Sequence, residues 1–376
     1  MVLALILHTL PASDAGPLTR LLAAARSANA SRLEHGFKAA GATVRRVDVG
    51  ARDSRSFGSQ IAALAASSAA RHGPAAGCVI AGSGAVPLAR AADLLPFVAA
   101  AAGGRALANN RYSADIIAVP DLARLAGVPD LAEDNALPRW LEEVADTPVG
   151  DLRGRWRLQV DLDSPLDLLL VERAGSTARR AGQPGDRAAE MPAGVGPFEV
   201  ASERLDAISR TLADRRAEVL VAGRTSSGAL RVLETRAAAR VRAWIEERGM
   251  RASTRLAVAA DDRERAQRPP RSILGLLLDR DGPEALGTLL AGLADAAVVD
   301  TRILLAHRLG SDERAWPSPE DRFASDLLLA DRIADPWLRA TTASAAAAPI
   351  PIALGGHTLV GPGSRLLLRQ RGVSRV

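Results

Sequence analysis

The chain has 376 residues, with 48 Lys+Arg against 43 Asp+Glu, one cysteine and 3% aromatic residues. That length exceeds the size at which single cores stop growing, so two domains are expected. The 48% apolar fraction excludes a disordered chain, the single Cys78 excludes a disulfide scaffold, and no apolar run reaches the ~18 residues of a membrane span.

The basic excess is almost all arginine, Lys38 being the only lysine. Residues 1–175 carry 18 basic and 18 acidic side chains, and residues 199–376 carry 27 and 23. A nucleic-acid module needs its cations concentrated on one face. Here they are diffuse, so no nucleic-acid partner is expected. The tail with Arg365, Arg369, Arg371 and Arg375 reads as a solvated terminus. The apolar start, Met1 to Leu10, lacks a basic leader and a cleavage site, so it reads as a buried strand of a cytoplasmic protein, with no membrane partner.

In chain order, the continuous apolar run 2–7 predicts a strand covered on both faces. Helical periodicity follows over 18–40, a strand over 43–49, a helix over 57–71 and a buried strand over 77–81. A helix over 88–102, short strands at 106–109 and 116–119, and a helix over 135–144 complete the first segment. This βαβα order predicts a mainly parallel, Rossmann-like sheet with helices on both faces. Residues 176–198, rich in Gly, Pro, Ala, Arg and Ser, read as a linker or exposed loop. Domains are therefore expected at 1–175 and 199–376. In the second, strands are predicted at 218–222, 240–245, 296–299 and 350–354. Helices are predicted at 228–236, 272–279, 283–293, 320–333 and 336–347, making a second α/β domain.

Two motifs stand out in the first segment. The run Cys78-Val79-Ile80-Ala81-Gly82-Ser83-Gly84-Ala85-Val86-Pro87-Leu88 is a strand entering a small-residue turn. Further on comes Val160-Asp161-Leu162-Asp163-Ser164-Pro165-Leu166-Asp167-Leu168. Together they resemble nucleotidyltransferases of the GT-A fold, above all the guanylyltransferases that mature molybdenum cofactor and phospholactate-containing cofactors. The resemblance covers roughly residues 1–175. It implies a three-layer α/β domain that binds a nucleotide or phosphorylated small molecule and, if catalytic, transfers a nucleotidyl group to a phosphate acceptor with Mg²⁺. The metal would sit on Asp161 and Asp163, which alternate on an extended stretch and so can share a face. The other reading of that stretch is capping of the following helix, with Pro165 at its first position and Asp167 at its N-terminus.

The chain departs from the family twice. The first strand runs into His8-Thr9-Leu10-Pro11-Ala12-Ser13, without a Gly-rich basic loop for phosphates. Gly84 and Ala85 stand where the resemblance calls for a metal-binding Asp before Pro87, and neither side chain ligates a hard cation. The polar block Asn109-Asn110-Arg111-Tyr112-Ser113-Ala114-Asp115 offers amides, a guanidinium, the only tyrosine and a carboxylate. It serves either as a ligand contact, alongside Gly82, Ser83 and Gly84, or as a turn in which Asn and Ser satisfy local backbone. Asn135 is a further contact or a helix cap.

In the second segment, Gly223-Arg224-Thr225-Ser226-Ser227 is a strand-to-helix turn. Arg224, Thr225 and Ser226 suit a phosphate, or an ordinary cap. Asp300 and Arg302 follow a buried strand, with His307 nearby, and Gly355-Gly356-His357 follows the last one. Asp300, Arg302, His307 and His357 are the candidates for acid–base work, because ligands in open α/β sheets bind beyond the carboxyl ends of strands. The alternatives to the nucleotidyltransferase-like reading are therefore a non-catalytic binding or scaffold protein on the same fold, and an enzyme whose site lies in the C-terminal domain.

Overall fold

The computed structural model describes residues 1–50, 53, 55–131, 136–180, 196–246 and 271–368. They form two compact units. The first holds Met1–Ala15 and Ala23–Leu162, and the second holds Gly16–Leu22 and the described residues from Asp163 onward. Most of the expected linker, as well as Asn135 and the arginines of the tail beyond residue 368, lies outside the described residues.

The first unit is built on strands β1 (Val2–Thr9), β2 (Thr43–Val49), β3 (Gly77–Gly82), β4 (Ala106–Ala108), β5 (Ile116–Val119) and β6 (Val149–Asp151). Their order is β2-β1-β3-β5-β4-β6. β5 runs antiparallel to β3 and β4, and the remaining pairings are parallel. β1 shows why a continuous apolar run makes such a strand, since successive side chains serve opposite faces. Val2, Ala4 and Ile6 pack with Leu33, Phe37 and Phe97 on one face. Leu3 and Leu5 pack with Ile61, Leu122 and Leu141 on the other. Parallel pairing leaves the carboxyl ends of β1, β2, β3, β4 and β6 on one edge of the sheet.

The second unit carries a four-stranded, wholly parallel sheet of β7 (Glu218–Gly223), β8 (Arg240–Ile245), β9 (Ala296–Asp300) and β10 (Ile352–Gly355). Its order is β10-β9-β7-β8. The chain moves outward from β7 to β8, then returns to place β9 on the other side of β7. The direction of winding thus reverses between β7 and β9, which is where such sheets open a crevice at their carboxyl edge. Leu220, Val299, Ile352 and Leu354 anchor the core on this sheet, with Leu274, Leu278, Leu286, Leu290 and Leu304 from the helices.

Some expected elements differ. β6 and the helix Thr301–Leu309 were not predicted. The span 320–333, expected as one helix, is a helix Pro319–Asp326 and a short 3-10 turn Ala330–Arg332. Between them Leu328 adopts φ +60, which no continuing helix allows. Both Asp321 carboxylate oxygens then accept the N–H groups of Ala334 and Asp335 at 3.0 Å, folding the chain back. No helix among the described residues is long and apolar enough to cross a membrane.

Candidate functional site

At the carboxyl edge of the first sheet, β1 ends at His8 and Thr9, and β3 runs into Ser83. The Ser83 N–H donates to the Leu7 carbonyl at 2.8 Å, which fixes the turn. Its hydroxyl then lies 3.0 Å from Nδ1 of His8, with His8 2% and Ser83 5% exposed. Burial, and after it the Arg46 charge, lower the His8 pKa from its ordinary 6.5, against a smaller upward pull from Asp48. The imidazole is therefore held neutral. The buried Asn29 amide donates to the carbonyls of Ser83 and Ala85, both at 2.8 Å, and so locks the Gly82-Ser83-Gly84 turn from behind.

The two motif segments meet here. Ala85 and Asp161 form an antiparallel bridge, and the Leu162 N–H donates to the Gly84 carbonyl at 3.0 Å. The Arg26 Nε donates to the Leu162 carbonyl at 2.7 Å. Asp161 is buried. Chain separation between the motifs concealed this contact; the sheet brings them side by side.

The polar block of 109–115 divides in two. Asn109 is wholly buried and internally engaged. Its amide donates to the Asp115 carboxylate and the Leu158 carbonyl, and its oxygen accepts the N–H groups of Asp115 and Ile116. Asn110 accepts the Tyr112 N–H at 3.1 Å, and the Ser113 N–H donates to the Asn110 carbonyl at 3.1 Å. Arg111 and Tyr112 are half-buried, and beside them stands exposed Arg153, a residue the sequence did not single out. The two guanidiniums lie 5.4 and 4.8 Å from the Tyr112 ring centre. Arg111 pairs with Glu142 at 2.5 Å and Arg153 with Asp151 at 2.6 Å. This is an arginine–aromatic platform at the ends of β4 and β6, each guanidinium also holding a carboxylate.

The carboxyl edge of the second sheet gathers more of the sequence candidates. Arg224, just after β7, makes a two-pronged contact with Asp300 at the end of β9, Nε–Oδ2 2.6 Å and Nη2–Oδ1 3.1 Å. Burial pushes the Asp300 carboxyl up, but the Arg224 guanidinium outweighs it and leaves the group below its ordinary value. The Asp300 side chain also accepts the Arg302 N–H at 3.1 Å, capping the helix Thr301–Leu309. Buried Arg302 forks onto Asp326 at 2.5 and 2.6 Å. Burial works against its charge, and Asp326 prevails, raising Arg302 above its ordinary value.

Hydroxyls tie the three strand ends together. Thr225 donates to the Val360 carbonyl at 2.9 Å, and Thr301 to the Gly355 carbonyl at 3.2 Å. Ser226 accepts the Ala229 N–H at 3.1 Å as the cap of helix Ser227–Arg236. His357 follows β10, with Nδ1 3.8 Å from Oδ2 of Asp163. Asp163 itself is placed by Asp167, whose Oδ2 accepts the N–H groups of residues 163 and 164 at 2.9 and 2.7 Å. Arg224, Thr225, Asp300, Arg302 and His357 thus share one edge.

His307 stands elsewhere. The Ser272 N–H donates to its Nδ1 at 3.0 Å, so the proton sits on Nε2, 2.9 Å from Asp279. A Cβ on Gly275 would lie 2.5 Å from the ring, so the helix Ile273–Asp281 packs directly on the imidazole. Both ring nitrogens serve that packing. Comparison with protein-family models, curated proteins and solved structures returns no match for the chain.

Proposed function

We propose that the chain is a nucleotidyltransferase-like protein that binds a nucleotide or another phosphorylated small molecule at the carboxyl edge of its first sheet. The observation that carries this reading is the junction of the two motif segments through the Ala85–Asp161 bridge. A Rossmann-like first domain followed by a second α/β domain is part of the same proposal. The Gly82-Ser83-Gly84 turn would receive phosphate, and Arg111, Tyr112 and Arg153 the base or a second anion. Screening nucleoside triphosphates by thermal shift tests it. Stabilisation by one of them, weakened in Ser83→Ala and Arg111→Ala, is the expected result. No stabilisation by any would overturn it.

Nucleotidyl transfer would call for Mg²⁺ at Asp161 and Asp163. Mg²⁺ takes oxygen ligands and shuns imidazole. The His357 ring stands 3.8 Å from the Asp163 carboxylate, so the surroundings of Asp163 fit Mg²⁺ poorly.

A second reading places chemistry in the second unit. It is favoured by the meeting of Arg224 and Asp300 at the point where the winding of the sheet reverses. Here Arg224 holds an anionic group and His357 moves a proton. Arg224→Met separates the two readings, since it would abolish turnover of any substrate on this reading and spare nucleotide binding on the first.

A further inference from the structure

We infer that His357 and Asp163 form a binding site for a divalent transition-metal ion at the carboxyl edge of the second sheet. The inference stands apart from nucleotide binding and survives if that reading fails. His357 Nδ1 and Asp163 Oδ2 are 3.8 Å apart. That is long for a hydrogen bond and close to the ~3.4 Å between ligand atoms around a tetrahedral ion with bonds of about 2.1 Å. A shift of a few tenths of an ångström closes the gap.

Both groups are aimed by structure that does not itself bind metal. The two N–H groups on Asp167 Oδ2 fix the backbone at residues 163 and 164, just ahead of helix Pro165–Arg180. His357 opens the short helix His357–Val360 directly after β10 and the Gly356 turn, and its carbonyl accepts the Gly361 N–H at 2.8 Å. The side chains are 30% exposed for His357 and 57% for Asp163, which leaves room for water or substrate to complete the coordination.

The surrounding charge favours a cation. Arg224 and Arg302 are each matched by a carboxylate, Asp300 and Asp326. One imidazole with carboxylate oxygen selects Zn²⁺, Co²⁺, Ni²⁺ or Mn²⁺ over Mg²⁺ and Ca²⁺.

The test is calorimetric titration of the full chain, stripped with chelator and free of nucleotide, with Zn²⁺, Mn²⁺ and Mg²⁺ separately. One equivalent of Zn²⁺ should bind, Mn²⁺ more weakly, and Mg²⁺ most weakly. His357→Gln and Asp163→Asn should each weaken Zn²⁺ binding by about tenfold or more. His35→Gln, on an exposed histidine, should leave it unchanged. The exposure of Asp163 makes Asp163→Asn the variant that keeps the fold, and metal-free melting curves check this for all three. Absence of stoichiometric binding, Mg²⁺ binding as tightly as Zn²⁺, or insensitivity to Asp163→Asn in a folded protein would each overturn the proposal.

Discussion

Gly223 ends β7 with φ +133, and a Cβ there would stand 2.3 Å from the Cβ of Asp300. The close approach is what lets Arg224 reach Asp300 with two nitrogens. Gly223→Ala should therefore cost about 1–3 kcal/mol, seen as a lower urea midpoint, because both the backbone and the Asp300 packing resist it. His8 makes a different prediction. Its folded pKa is lowered from 6.5, so the unfolded chain takes up the proton first as pH falls. Its stabilising effect is fully present above 6.5 and is lost as pH falls toward the lower folded value. Between about pH 7.5 and about pH 5.5, stability should drop in the wild type and drop less in His8→Asn. An equal drop in both proteins would show that other groups carry the pH dependence. Arg224, Asp300 and His357 each follow an apolar run, which is why the sequence points to the ends of strands there. The Arg224–Asp300 pairing is not legible in the sequence, since β8 lies between their strands in the chain and not in space. His307 sits apart because the helix Thr301–Leu309 intervenes, and two turns of helix carry a side chain away from the residue that starts it.

Elements show where local signals suffice and where they do not. β1, β3, β7 and β9 each contain an unbroken apolar run, and their identity follows from burial on both faces. β6 is three residues, Val-Gly-Asp, and pairs only because β4 offers its edge. No window of sequence distinguishes it from a turn. The helix Pro17–Ala39 has no acidic residue in its first turn. Its start is capped from far along the chain, where Glu320 accepts the N–H groups of Leu18 and Thr19, both at 3.0 Å, and the Thr19 hydroxyl at 2.9 Å. A carboxylate at this position satisfies free donors and faces the positive end of the helix dipole. Glu320→Ala should cost about 1–2 kcal/mol in urea unfolding, and Glu320→Gln less, because the amide keeps one acceptor and loses the charge. Equal losses would mean that the retained amide oxygen contributes nothing and that the charge carries the cap.

For the whole molecule, the net charge of +5 invites a polyanionic partner, and the ion pairs among the described residues bear on that expectation. Within the first unit Arg46 pairs with Asp48, Arg111 with Glu142, Arg124 with Asp121 and Arg153 with Asp151. Within the second, Arg173 pairs with Asp206, Arg224 with Asp300, Arg302 with Asp326 and Arg322 with Glu313. Arginine is abundant, yet in these pairs its field is cancelled within a few ångströms. A protein that neutralises 6–10 phosphates loses roughly 10³–10⁵ in affinity between about 50 and 200 mM salt, and that steep slope reports a concentrated basic face. Among the described residues, arginines paired in this way supply no such face. Fluorescence anisotropy with a labelled random duplex should therefore show weak retention at about 50 mM salt and no saturation at about 150 mM. The slope of log affinity against log salt should stay shallow, since the named pairs already engage their arginines with carboxylates. A saturable complex with a steep slope would place a polyanion site on this chain. In that case the pairs named above would have to open, and Arg111→Ala or Arg153→Ala would reduce the slope by about one unit each.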